Sequence, residues 1–160
     1  MKLFHGGTAS VEEPVIMPSL SGRDFGTGFY CTDIQSQAEK WAQRQGRIRR
    51  FKSVLNVYEF DKDSAQKNLN YKAFTDYAME WLELVVKCRK DAQFVHGFDI
   101  VYGKIANDDV GETVQAVING LMPLDFALQR LAFMDSNNQY CFCTKKSLGY
   151  LIFIESIILD

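Results

Sequence analysis

The stretch Asp24-Phe25-Gly26-Thr27-Gly28-Phe29-Tyr30-Cys31-Thr32 combines residue types suited to seating a flat aromatic ligand. Gly26 and Gly28 stand two apart, so the backbone there can turn tightly or approach another group closely. The apolar run Phe29-Tyr30-Cys31 then reads as the start of a buried strand, with the Tyr30 phenol at its mouth. Three other places carry groups that could complete a site. His5 closes a first strand and is followed by Gly6-Gly7-Thr8, Trp41 lies eleven residues beyond Tyr30, and Gln139 follows the turn residues Ser136-Asn137-Asn138. Each also has a plain structural reading: a hydrogen-bonded strand-end histidine, a core tyrosine with its hydroxyl satisfied, a core tryptophan and a solvated strand end. Arg23 and Asp24 precede the glycine turn and could meet a pyrophosphate or a ribose; Arg23 is equally explained as solvated. Asp99 and the pair Asp108-Asp109 could hold a metal, but helix capping explains the pair better.

The elements that must position these groups follow from pattern. Lys2–His5 reads as a strand, and residues 9–23, with Pro14, Pro18 and Gly22, as a loop with a turn of helix. A strand over Gly26–Thr32 is followed by a helix capped by Thr32 or Asp33. It runs to about Gln45, carries Ile34, Ala38, Trp41 and Ala42 on one face, and ends at Gly46. Val54, Leu55, Val57, Tyr58 and Phe60 mark a strand over Ser53–Asp61, and Asn68–Phe74 a short strand or connection. Tyr77, Trp81, Leu84, Val85 and Cys88 recur at helical spacing, predicting an amphipathic helix from Thr75 or Asp76 to Lys90. Ile100–Tyr102 reads as a strand, Asn107–Gly120 and Pro123–Phe133 as helices, and Gln139–Thr144 and Tyr150–Leu159 as strands, the last a core strand. Short strands that interrupt the helices without βαβ alternation define an α+β class with a largely antiparallel sheet, in one domain over 1–160.

Composition narrows the function classes. With 47% hydrophobic and 24% charged residues in 160, the chain reads as an ordinary globular protein. A net charge of −2 supplies no general attraction for a polyanion. Arg44, Arg47, Arg49, Arg50 and Lys52 form a local exception, a solvated helix end on one reading and a contact for a phosphate-bearing ligand or nucleic acid on another. Cys31, Cys88, Cys141 and Cys143 show no metal spacing, and with two histidines a zinc site is not expected; Cys141 and Cys143 share one strand face. No leader pattern or membrane-spanning stretch is visible. Thiols embedded in apolar runs suggest a reducing compartment, hence the cytoplasm.

In order along the chain, His-Gly-x-Thr, Phe-Gly-x-Gly-Phe-Tyr, an aromatic residue on the next helix and Asn-x-Gln-Tyr before the last strands resemble the ADP-ribosyltransferase superfamily. The likeness is to the branch related to diphtheria toxin and the poly-ADP-ribose polymerases, with its His-Tyr-Glu triad. Within it, the chain is similar to a bacterial group of short proteins that carry Asp-Phe-Gly-x-Gly-Phe-Tyr. The resemblance runs from Phe4 to Phe153 and is strongest over Asp24–Thr32.

The resemblance implies a fold of two small, mainly antiparallel sheets forming an NAD cleft with flanking helices. It also implies that NAD serves as ADP-ribosyl donor and that no metal is needed. By position, His5 matches the histidine that bonds the adenosine ribose, and Gly6 the backbone that clamps the nicotinamide carboxamide. Thr8 matches a hydroxyl shaping the strand end, Tyr30 the tyrosine packed on the nicotinamide, and Trp41 a second aromatic closing the opposite face. The turn at Ser136 and Asn137 falls where acceptor recognition is common. Gln139 stands where the family has Glu. A glutamine keeps the hydrogen-bonding reach but removes the charge and cannot act as a general base. The implied activity is mono-ADP-ribosyl transfer to a protein, nucleic acid or small-molecule acceptor, as a bacterial toxin (then paired with an antitoxin) or regulator. NAD hydrolysis and catalytically silent NAD binding are the alternatives. Gln139→Glu is expected to raise hydrolytic turnover.

Overall fold

The computed structural model of the chain describes residues 1–18 and 22–159. Ser19, Leu20 and Ser21, within the expected loop and its turn of helix, lie outside the described residues. The elements in chain order are β1 (Lys2–Gly7), β2 (Phe29–Cys31), α1 (Gln35–Arg49), β3 (Ser53–Phe60), α2 (Lys62–Asn68) and β4 (Tyr71–Ala73). There follow α3 (Met79–Lys90), β5 (Ile100–Lys104), α4 (Asp108–Ile118), α5 (Leu124–Leu131), β6 (Asn138–Phe142), α6 (Lys145–Leu148) and β7 (Leu151–Leu159).

The strands form two small sheets, ordered β1-β3-β7 and β2-β6-β5-β4. Every pairing is antiparallel except β4 with β5. Among the described residues the sheets meet through one antiparallel bridge, Phe4 with Thr32, whose two backbone hydrogen bonds measure 2.8 and 2.9 Å. This is the expected α+β class with two small, mainly antiparallel sheets.

The central strands are covered on both faces: β3 is buried continuously from Val54 to Tyr58, and β6 from Tyr140 to Phe142. Leu3, Phe29, Tyr58, Phe60, Ile100, Tyr140 and Phe142 are buried in one cluster that spans the two sheets. Across the second sheet, α3 buries Trp81, Leu82, Leu84, Val85 and Cys88, and α4 and α5 add Val110, Val114, Ala127 and Leu131. Each such large side chain contributes roughly 1.5–3 kcal/mol on burial. The Trp81 indole N–H donates to the Lys104 carbonyl at 3.1 Å, so the largest core side chain leaves no polar atom unpaired.

Four expectations need correction. Neither Thr32 nor Asp33 caps α1, whose N-cap is Ile34 with no side-chain cap; Thr32 Oγ1 accepts from the Ile34 N–H instead. Gly46 does not end α1, which continues to Arg49 and is closed by Arg50 in the left-handed region at φ 57°. Gly46 serves close packing instead: a Cβ there would lie 2.4 Å from Ser53 Oγ and 3.0 Å from the Phe51 carbonyl. The buried face of α1 is Ala38, Ala42 and Gly46, whereas Ile34 and Trp41 are exposed. Small residues are required because α1 lies almost on β1: a Cβ on Gly6 would meet the Ala38 carbonyl oxygen at 2.1 Å. Finally, β7 is an edge strand rather than a core strand, with Ile152 65% and Ile158 58% exposed.

Candidate functional site

The turn before β2 divides the work between its glycines. Gly26 sits at φ +77°, a conformation that L side chains rarely adopt. Gly28 is needed for close approach. A Cβ there would lie 2.4 Å from Cys141 Sγ and 2.7 Å from the Phe142 carbonyl oxygen, so glycine lets the turn press onto β6. The Tyr30 phenol closes the turn from within. It donates to the Gly26 carbonyl at 2.7 Å and accepts from the Phe25 N–H at 3.1 Å. Burial pushes that phenol well above its ordinary pKa, so it remains a neutral donor. Over its ring, 5.5 Å from the centroid, lies the Arg23 guanidinium, held also by a long 3.5 Å bond to the Gly28 carbonyl.

Pairing between β1 and β2 stops at the Phe4–Thr32 bridge. The next antiparallel pair in register would be Gly6 with Tyr30, and it does not form. The His5 side chain takes the Tyr30 carbonyl instead, with Nδ1 at 2.7 Å. A carbonyl can only accept, so Nδ1 carries the proton, and Nε2 is the acceptor of the neutral ring. Burial holds this imidazole below its ordinary pKa, with the Arg23 charge acting the same way against the Tyr30 bond. The ring is fixed by stacking on Phe29, centroids 4.4 Å apart. Successive residues of a strand direct their peptide groups to opposite edges, so Gly6 turns its N–H and C=O to the same side as Phe4. There, among the described residues, they have no ladder partner.

Gln139 stands on the same face of β6 as Cys141, which pairs with Tyr30. Its Nε2 donates to Asp24 Oδ2 at 2.9 Å. Asp24 is 6% exposed and also accepts from the Ala106 N–H at 2.8 Å and from Arg89 Nε at 2.8 Å, with Arg89 Nη2 at 2.7 Å. Arg89 in turn donates to the Ala106 carbonyl. Asp24 therefore anchors α3, the α4 entry and β6 around the glycine turn, with both carboxylate oxygens engaged.

The structure thus brings His5, Arg23 and Tyr30 together at one junction between the sheets, with Gly6 next in the chain to His5, whereas the contact that holds Gln139 is Asp24. Trp41 is not joined to it by any aromatic contact among the described residues; it is 51% exposed, with the Arg44 guanidinium 6.0 Å from its ring centroid. Thr8 is half-buried beyond β1. The strand end is shaped by Asn56, which sequence reasoning missed. Fully buried, it donates to the Ala9 and His5 carbonyls and accepts from the Val11 N–H and the Ser156 hydroxyl. A lone amide inside the apolar run Val54–Phe60 was the available signal. Arg89, also missed, lies 65 residues from its partner Asp24 and leaves no local trace.

Elsewhere, Ser136 is a structural turn residue, accepting from the Tyr77 hydroxyl and donating to the Ile105 carbonyl. Asp99 accepts from Asn70, Thr144 and Lys146, and no group of side chains suited to a metal occurs among the described residues. The cations of the α1 cluster are all exposed and enter no ion pair among the described residues. No helix among the described residues is long and apolar enough to cross a membrane.

The molecule is thus an α+β protein of two small sheets with a polar junction between them. The chain belongs to the family described as protein of unknown function DUF3990, whose model matches residues 1–153. No curated protein and no solved structure matches it.

Proposed function

We propose that the chain is an NAD-dependent mono-ADP-ribosyltransferase with the ADP-ribosyltransferase fold, using NAD as ADP-ribosyl donor at the junction of its two sheets. One observation carries this reading: in register with Tyr30, Gly6 offers an N–H and a C=O that have no ladder partner among the described residues. A carboxamide has the complementary pair, one acceptor oxygen and one NH₂ donor, and nicotinamide bears such a group on a flat ring.

Tyr30 supplies the face for that ring. Arg23 already rests over it, a cation against a phenol quadrupole, as a pyridinium would. NAD binding then exchanges one cation for the other and frees Arg23 to meet the pyrophosphate. His5 Nε2, an acceptor on a ring kept neutral, receives a ribose hydroxyl. Trp41 reaches the ligand only by turning inward from its exposed position.

In the reaction, the bond between nicotinamide N1 and ribose C1′ breaks with its electron pair moving to the ring. Nicotinamide leaves neutral, and the oxocarbenium-like sugar is captured by an acceptor nucleophile or by water. With Nε2 held by Asp24, Gln139 presents Oε1 to a ribose hydroxyl in a fixed orientation. That contact positions the sugar; it supplies neither charge nor a base. Because the Asp24 carboxylate behind it is already paired with Arg89, a second reading has a specific basis: an NAD-binding module without turnover.

Purified protein incubated with NAD labelled in the adenylate and nicotinamide parts, alone and with cell lysate, distinguishes these readings. Nicotinamide release with label on an acceptor supports transfer; release without acceptor labelling identifies a glycohydrolase. Calorimetric binding with neither identifies the silent module. Absence of binding, unchanged in Tyr30→Ala and His5→Ala, overturns the NAD reading altogether.

A further inference from the structure

Beneath the glycine turn lies a thiol pair that the NAD reading does not use. Cys143 Sγ lies 3.4 Å from Cys141 Sγ and 3.8 Å from His96 Nε2. The His96 tautomer is set by its neighbours. Phe98 N–H donates to Nδ1 at 3.1 Å, so the ring proton sits on Nε2, 3.0 Å from the Phe25 carbonyl and facing Cys143. The two sulfurs differ in access: Cys141 is fully buried, whereas Cys143, just past the end of β6, is partly exposed. We infer that Cys143 is an oxidisable thiol that reacts with hydroperoxides, and that Cys141 resolves the product to a Cys141–Cys143 disulfide.

The chemistry needs a thiolate at Cys143 and a thiol at Cys141, and the surroundings favour that division. Hydrogen bonding from Cys141, and then from His96, holds the Cys143 thiol below its ordinary pKa against burial and the Asp99 charge. Burial pushes Cys141 up. The Cys143 thiolate attacks one peroxide oxygen, the O–O bond breaks, and the departing oxygen leaves as hydroxide or alkoxide. The sulfur is now a sulfenic acid. Cys141 sulfur then attacks it, the S–S bond forms, and the sulfenic oxygen leaves as water with the Cys141 proton. In total two thiols and one hydroperoxide give a disulfide, an alcohol or water, and water. No metal or second reductant is required.

The consequence is local to the turn. Cys141 Sγ fills the space beside Gly28 and lies 4.0 Å from the Phe25 carbonyl, so drawing it towards Cys143 withdraws packing from the residues that hold Tyr30. Cys88 Sγ, near Gly26, is the adjacent control, its thiol pushed up to about 12 by burial.

The test is peptide mapping after treatment with stoichiometric hydrogen peroxide. In the wild type the free-thiol count should fall from four to two, with the peptide spanning residues 131–145 lighter by two hydrogens. Cys141→Ser should stop at a Cys143 sulfenic acid that dimedone captures. Cys143→Ser should keep all its thiols at the same dose, and Cys88→Ser should behave as wild type. Iodoacetamide labelling of the untreated wild type, which needs no variant to fold, should reach Cys143 before the other three cysteines. Oxidation of Cys31 or Cys88 at the same rate, or slow labelling of Cys143, overturns the assignment of the reactive thiol. Accumulation of a Cys143 sulfenic acid in the wild type overturns the resolving role of Cys141. These readouts are independent of whether NAD binds.

Discussion

The two walls of the sheet junction are built from similar residues and end in opposite states. On the β1 side, the His5 ring is fixed by one hydrogen bond and one stacking contact, and leaves Nε2 as an acceptor 3.4 Å from where a Cβ on Gly7 would stand. On the β6 side, both Asp24 oxygens are engaged, by Arg89 at one and by Ala106 and Gln139 at the other. The first wall holds polar groups in position and, among the described residues, leaves the Gly6 peptide groups without a ladder partner, which is how binding sites are organised. The second consumes its polar groups in holding three elements together. Gln139 is tied to the second wall through Nε2. An amide can donate to a carboxylate through its nitrogen while its oxygen remains an acceptor.

Breaking the scaffold wall should cost most. Asp24→Asn leaves Arg89 without its partner in a mostly buried setting, and a loss of about 3 kcal/mol in urea denaturation is expected. Next is Gln139→Glu, which replaces a donor to Asp24 with a second carboxylate. Loss of that charge-assisted bond alone amounts to about 2 kcal/mol, and the deficit should shrink as the pH is lowered and the two carboxylates share a proton. Combining Asp24→Asn with Gln139→Glu exchanges amide and carboxylate. The double variant should be more stable than the two single losses sum to, with the coupling read from the mutant cycle. Any gain in NAD hydrolysis expected from Gln139→Glu must therefore be measured below its shifted melting temperature.

The binding wall should respond weakly in stability and specifically in pH. His5 is held below its ordinary pKa, so the unfolded chain binds more protons in acid. Its contribution is fully present above about pH 6.5 and is lost as pH falls below it. His96, raised chiefly by Cys143 against burial, has the opposite sign, so the comparison is wild type against His5→Gln. Melting curves from pH 7.5 to 5 should fall more steeply for the wild type. Trp41→Ala should have the smallest effect, within about 0.5 kcal/mol, since the side chain is half exposed; loss of NAD affinity in that variant would show that Trp41 turns onto the ligand.

Much of this arrangement was legible in the sequence because it is local. The β-branched and aromatic run of β3 and the helical recurrence of Trp81, Leu84, Val85 and Cys88 each specify one element. Gly26 and Gly28 mark the turn that sets Tyr30. What was not legible depends on approach distance and long-range pairing. Gly46 looked like a helix end because glycine terminates helices, yet here it admits Phe51 and Ser53. Trp41 looked like core because it is apolar, but the closeness of α1 to β1 reserves the contact face for Ala38, Ala42 and Gly46. The apolar β7 reads the same whether it lies at the centre or the edge of a sheet. The helices α2 and α6 are too short for periodicity to reveal, although Asp61 caps the first through the Ser64 N–H. Asp24 was readable as a site residue and proved to be scaffold, since only the fold brings Arg89 to it.

The central claim is that Gly6 and Tyr30 seat a nicotinamide. A crystal structure of the protein soaked with NAD tests it most directly. The carboxamide is expected on the Gly6 N–H and C=O, the ring on Tyr30 in place of the Arg23 guanidinium, and a ribose hydroxyl within hydrogen-bonding distance of Gln139 Oε1. NAD bound elsewhere, or Arg23 still on Tyr30 with Gly6 untouched at saturating NAD, would contradict it.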